Sequence, residues 1–165
     1  MLTEPSHSDV RRRLLLSTRV GLAGGVIGKA PGMKTFDVQS IGIGKSLGHV
    51  FDFIAAPANL PLWAHAFKRA DAKSAELVTP NGAVLVDLET ITDESRGTID
   101  WRMTFPDSSV GVAYSRVTPD GGDRSVYSFV LMAPPVPLEA LEGALSAQIA
   151  VLAQELQTLK ARLEA

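Results

Sequence analysis

The chain has 165 residues, 45% of them hydrophobic and 21% charged, with a net charge of -2 and no cysteine. That length suits one domain able to bury roughly two-thirds of the surface its unfolded form exposes, and the composition is too apolar for a disordered chain. Missing cysteines exclude disulfides, thiol catalysis and cysteine-ligated metals; eleven Lys/Arg against sixteen acids over residues 33–165 argue against a nucleic-acid partner.

Residues 1–32 read as a leader or disordered extension, with five Lys/Arg against two acids. "RRRLLLSTRVGLAGGVIGKA" has the order of an export signal, and Arg11-Arg12-x-Leu14-Leu15 resembles a twin-arginine signal. Against that, Arg19 interrupts the apolar stretch and Lys29 and Pro31 occupy the cleavage region. The competing expectation is a start at Met33 and a cytoplasmic protein. On either view the segment is too short and too rich in Gly to span a membrane, so no stable membrane insertion is expected.

From Phe36 to Ile43 the pattern Phe-x-Val then Ile-x-Ile predicts a strand whose facing residues switch near Ser40, as at a bulge. Ser46 suits the cap of a short helix carrying Leu47, Val50, Phe51 and Ile54 on one face. Pro57 ends it, and Pro61 suits the first turn of a second short helix carrying Leu60, Leu62, Trp63 and Phe67. Four turn signals follow at intervals of about a dozen residues, "TPNG", "DESRG", "PDSS" and "PDGGD". Between them lie strand-like segments, the clearest alternating Ile99, Trp101, Met103 and Phe105 with Asp100, Arg102 and Thr104. "APPVP" breaks the last strand. Beyond it Leu138, Leu141, Leu145, Ile149, Leu152, Leu156, Leu159 and Leu163 recur at spacings of three and four, predicting one helix about 39 Å long.

The order of strand, two short helices, antiparallel meander and long terminal helix resembles the START-like, or SRPBCC (polyketide cyclase/dehydrase-like), helix-grip superfamily. Carrying the resemblance are Phe36-Asp37-Val38, Val50-Phe51-Asp52-Phe53-Ile54, Pro57-x-Asn59-Leu60-Pro61-x-Trp63 and Gly97-Thr98-Ile99-Asp100, across about residues 34 to 163. It implies an α+β domain over residues 33–165, a curved antiparallel sheet around the C-terminal helix, with a hydrophobic cavity beneath the short helices. Six strands are counted here, where fuller members have seven.

Chemistry-bearing patterns are sparse. "GIGKS" at Gly42 to Ser46 lies where a phosphate loop would, but a P-loop needs glycine at Gln39 and a dinucleotide loop needs it at Leu47. His7, His49 and His65 show no metal-ligand spacing, so no metal and no cofactor is expected. Asp87 and Glu89, with Asp100 and Arg102, fall opposite the apolar positions and read as a charged outer ladder. No catalytic residue is assigned; His65, whose side-chain pKa class suits proton transfer near pH 7, is the weak candidate.

The resemblance implies a binder of a small apolar or amphipathic molecule. Phe51, Ile54, Trp63, Phe67 and Ile149 from the helices, with Trp101, Met103 and Phe129 from the strands, are the expected wall. Tyr114, Tyr127 and His65 are the expected polar contacts. Plain core packing competes for each aromatic, since burial alone contributes about 1.5 to 3 kcal/mol. Two alternatives stand beside binding: a cyclase or dehydratase using the same cavity, and an interaction module using the leucine seam, as a monomer or a homodimer.

Overall fold

The computed structural model describes residues 34–79, 82–133 and 138–165, with side chains from 145 onward in the last segment. The leader expectation for residues 1–32, the proline break after Ala133 and the tip of the first meander turn lie outside the described residues.

Alternation in the sequence becomes a seven-stranded sheet, β1 (Phe36–Ile43), β2 (Phe67–Ala70), β3 (Ser74–Thr79), β4 (Gly82–Asp93), β5 (Thr98–Thr104), β6 (Val110–Pro119) and β7 (Ser125–Met132). Its spatial order is β1-β7-β6-β5-β4-β3-β2, antiparallel throughout. Between β1 and β2 the chain forms α1 (Leu47–Ala55) and a 3₁₀ helix (Pro57–Leu62), and it ends in α2 (Leu138–Glu164). This is the helix-grip arrangement, an α+β fold with one apolar sheet face turned to the helices.

Seven strands replace the six expected because Phe67 opens β2 instead of riding on a second helix. Pro61 sits inside the 3₁₀ helix, and Trp63 closes it through its N–H to the Leu60 carbonyl at 3.2 Å. Four residues later the chain is extended, pairing Phe67 with Leu77 beside a bulge between Phe67 and Arg69. A four-residue strand that alternates poorly carries too little periodicity to be read in one dimension.

The bulge expected near Ser40 is absent. β1 keeps one register with β7 from Phe36 opposite Met132 to Ile43 opposite Ser125. Unbroken pairing preserves alternation, so Phe36 and Val38 face outward, 51% and 56% exposed. Asp37 and Gln39 take the inner side, where Gln39 Nε2 donates to the Ile149 carbonyl of α2 at 2.9 Å.

Ser46 caps α1 as expected, its hydroxyl accepting from the His49 N–H at 3.5 Å. Val50, Phe51 and Ile54 are buried on one face of that helix. Asn59 Nδ2 donates to the Phe53 carbonyl at 2.8 Å, stapling the 3₁₀ helix to α1. At the β4–β5 turn Gly97 has φ +69°, and a Cβ there would lie 2.2 Å from the Val117 carbonyl oxygen, so only glycine fits. On α2 the buried residues are Leu145, Leu152, Leu156, Leu159 and Leu163, together with Glu155. The leucine seam is thus part of the core, and the exposed seam an interaction module would use is not present among the described side chains.

Candidate functional site

On the inner face, each strand sends every second residue toward the helices. β7 contributes Ser125, Tyr127 and Phe129, β6 contributes Ala113, Ser115 and Val117, and β5 contributes Ile99 and Trp101, all buried. Pairing of Val117 with Tyr127 and of Ser115 with Phe129 sets these side by side. The segment after the 3₁₀ helix adds Trp63, 2% exposed. Four rings then form a continuous row. Trp63 meets Tyr127 edge-on with centroids 6.3 Å apart, Tyr127 meets Phe129 at 6.4 Å, and Phe129 stacks on Trp101 at 6.0 Å.

Four polar atoms buried among these groups have no hydrogen-bond partner among the described residues: Trp63 Nε1, Trp101 Nε1, Tyr127 Oη and Thr90 Oγ1. Thr90 is the cross-strand neighbour of Trp101. Ser115 stands close to the Tyr127 hydroxyl, but its own hydroxyl donates to the Ile99 carbonyl at 2.5 Å, and no contact between the two meets hydrogen-bond geometry. Burial pushes the Tyr127 phenol well above its ordinary pKa, and the negative charges of Asp100 and Glu155 push the same way. Native interiors rarely leave such groups unanswered, so each one asks for an explanation.

Glu155 of α2 reaches the same interior, and among the described residues it is the one charged side chain that is buried. Its Oε1 accepts the His65 N–H at 2.5 Å, with the Ala66 N–H nearby, tying the loop before β2 to the helix. Desolvation outweighs these donors and raises its pKa above the ordinary glutamate range.

Several expected site residues join this constellation: Phe51, Ile54, Trp63, Trp101, Tyr127 and Phe129 belong to one buried cluster, with Phe67 and Met103 half-buried against it. Ile149 is half-buried on α2. Two others do not. Tyr114 lies on the outer face, 45% exposed, because its register partner is Val130 and the inward positions of β6 are Ala113 and Ser115. The side chain of His65 is exposed; what it offers the interior is its backbone N–H. Glu155 and Thr90 were missed. Glu155 falls between Leu152 and Leu156 on the seam, so a polar residue in an apolar stripe was the available signal.

Two concavities open elsewhere. One of about 360 Å³ is lined by Gly42, Ile43, Gly44, Arg124, Lys160 and Glu164; one of about 220 Å³ lies along β2, β3 and Leu85. Neither is lined by an expected ligand contact. At the first, Lys160 Nζ donates to the Gly42 carbonyl at 2.7 Å, and the Gly44 N–H donates to Glu164 Oε1 at 2.6 Å, holding that carboxyl below its usual pKa. No helix among the described residues is long and apolar enough to cross a membrane.

No family model matches the sequence, and no curated protein matches it. Solved structures do match in shape. A START superfamily protein from Mycobacterium smegmatis aligns at TM-score 0.59 and 11% identity, covering 79% of this chain and 99% of that one. XoxI from Bacillus cereus aligns at TM-score 0.59 and 14% identity, over 79% and 96%. The Zhui aromatase/cyclase from Streptomyces sp. R1128 aligns at TM-score 0.55 and 11% identity, over 78% and 93%. With the seven-stranded sheet closed by α2, these likenesses identify the fold as the START-like, polyketide cyclase-like helix grip.

Proposed function

We propose that this chain binds a small apolar or amphipathic molecule between the inner face of the sheet and α2. The observation that carries the reading is the set of unpartnered polar atoms, Trp63 Nε1, Trp101 Nε1 and Tyr127 Oη, buried within an otherwise aromatic and aliphatic wall. A mostly apolar lining with a few convergent polar groups is how small-molecule sites are built. In such a site burial supplies affinity, and the polar atoms orient one end of the guest. Likeness to a START superfamily protein and to an aromatase/cyclase agrees with a guest inside the grip.

Native mass spectrometry of freshly purified protein tests this. The expected result is an adduct of small-molecule mass that disappears on denaturation, or uptake of an added apolar probe with a change in tryptophan emission. Protein that carries nothing and takes up no apolar probe would remove the reading.

A second reading, an enzyme of cyclase or dehydratase type, is favoured by one observation. Glu155, with its pKa raised by burial, faces the interior that holds Tyr127, so a carboxyl that holds its proton more readily than an ordinary glutamate stands beside the proposed guest. On this reading Glu155 takes the acid/base part in place of His65.

A further inference from the structure

The sheet has two edges, and they are protected very differently. β2, at one end of the strand order, is four residues long, carries a bulge and presents Lys68 and Arg69, the devices by which proteins blunt an open edge. β1, at the other end, is eight residues long and unbulged. Its exposed Phe36 and Val38 lie beside Met132 and Val130 on the outer face, with exposed Tyr114 next to Val130. A long, regular edge flanked by apolar surface is a template for pairing with another strand.

The hydrogen-bond phase of β1 shows which residues are open. The Ala133 N–H donates to the Thr35 carbonyl at 2.8 Å, so Thr35 and every second residue after it, Asp37 and Gln39 included, turn their backbone groups toward β7. Phe36, Val38, Ser40 and Gly42 turn theirs away from the sheet. The Gly42 carbonyl is taken by Lys160 Nζ. Among the described residues no backbone hydrogen bond reaches the open groups of Phe36, Val38 or Ser40, and the Val38 N–H has the adjacent Asp37 carboxyl beside it.

Three central registers are open to two copies of β1 paired antiparallel about a two-fold axis. Centred on Asp37, the pairing sets that carboxylate directly against its own copy, a like-charge contact. Centred on Gln39, it sets Phe36 against Gly42, whose carbonyl is already engaged. Centred on Val38, it pairs Val38 with its copy and Phe36 with Ser40, so all three open residues of each strand find partners. The same register places Asp37 opposite Gln39 of the second copy, carboxylate against amide.

We propose that β1 is a homodimer interface, two copies pairing antiparallel about a two-fold axis at Val38 and joining their sheets. The occupant is a second copy because the strand answers itself: open backbone groups, apolar outer residues and the inner carboxylate and amide each meet a complement in the same segment. One edge strand offers less than the roughly 800 Å² per partner of a standard interface, so association is expected at about micromolar concentration.

Sedimentation velocity of the full chain from micromolar to near-millimolar concentration tests this. A monomer–dimer equilibrium is expected, and a monomer throughout would overturn the proposal. Val38→Lys, at an exposed position, should leave the urea midpoint nearly unchanged and weaken the dimer by about tenfold or more through like charges at the axis. An unaltered dimer in that variant would overturn the assignment to β1. Because the chain has no cysteine, single cysteines read the register directly. Directly opposed residues of such a pair have Cα atoms about 5.5 Å apart, within disulfide reach. Val38→Cys should cross-link to itself on oxidation, whereas Phe36→Cys should link only when mixed with Ser40→Cys. Self-linking by Phe36→Cys, or no cross-link from any of the three, would overturn the axis at Val38. Sedimentation of the unaltered chain decides dimerisation even if a variant does not fold.

Discussion

Two polar regions of this fold, the β1–α1 corner and the aromatic interior, differ in how their hydrogen bonds close. At the β1–α1 corner, "GIGKS" resembles a place for a phosphate, yet its groups are answered from within the chain. Lys160 meets the Gly42 carbonyl, Glu164 meets the Gly44 N–H, Ser125 donates to the Lys45 carbonyl at 3.0 Å, and Ser46 caps α1. In the aromatic interior, where the sequence reads as ordinary core, four buried polar atoms have no such answer among the described residues. A suggestive motif became a structural joint, and a bland run of aromatics holds the unmet chemistry. Satisfaction of buried polar groups separates the two better than residue type does.

Three substitutions can break or sharpen this contrast. The largest effect is expected at the corner. Ser125 is fully buried, so Ser125→Ala strips the Lys45 carbonyl of its donor and should lower stability by about 1 to 3 kcal/mol in urea unfolding. A negligible loss would mean that the corner is not held by its internal bonds. Tyr127→Phe should act with the opposite sign. Its hydroxyl is buried and unanswered, so removing it leaves stability unchanged or raises it by about 1 kcal/mol. A clear loss on the same urea curve would reveal a partner for that hydroxyl and erase the distinction.

The smallest effect belongs to Glu155→Gln and lies in pH dependence. The folded-state pKa of Glu155 is raised, so over the window between its unfolded and folded values the native state binds more protons, and its stability contribution falls as pH rises. Glutamine keeps an acceptor for the His65 N–H without the charge. The variant should therefore gain on the parent as pH rises through that window, and the two should converge below the ordinary glutamate range. Thermal melts across that span check it; a gap that widens toward acid would show Glu155 to be stabilised as the carboxylate.

Legibility in the sequence followed the strength of periodicity. α1 and its cap, the β5 alternation and the α2 seam repeat over several turns or pairs, and each stands as read, the seam from Leu145 onward. β2 is four residues long with a bulge beside it, and was absorbed into a helix. The Phe36 and Val38 positions looked like core because they are apolar, but pairing with β7 places Asp37 and Gln39 inward. Of the two tyrosines expected to point inward, register sends Tyr127 in and Tyr114 out. One residue of register reverses a side chain, and no local property of a tyrosine encodes it.

What the chain determined by itself was its inventory and order: apolar stripes of period two and near three and a half, the turns between them, and a terminal helix long enough to close a sheet. Such patterns arise from local backbone geometry, which each segment carries wherever it is placed. Tertiary structure alone decided that Trp63, Trp101, Tyr127 and Glu155, from four separate elements, converge on one interior, and that Lys160 and Glu164 seal the corner. Whether a buried donor finds an acceptor depends on what distant parts of the chain bring to it, and that is a property of the packed whole.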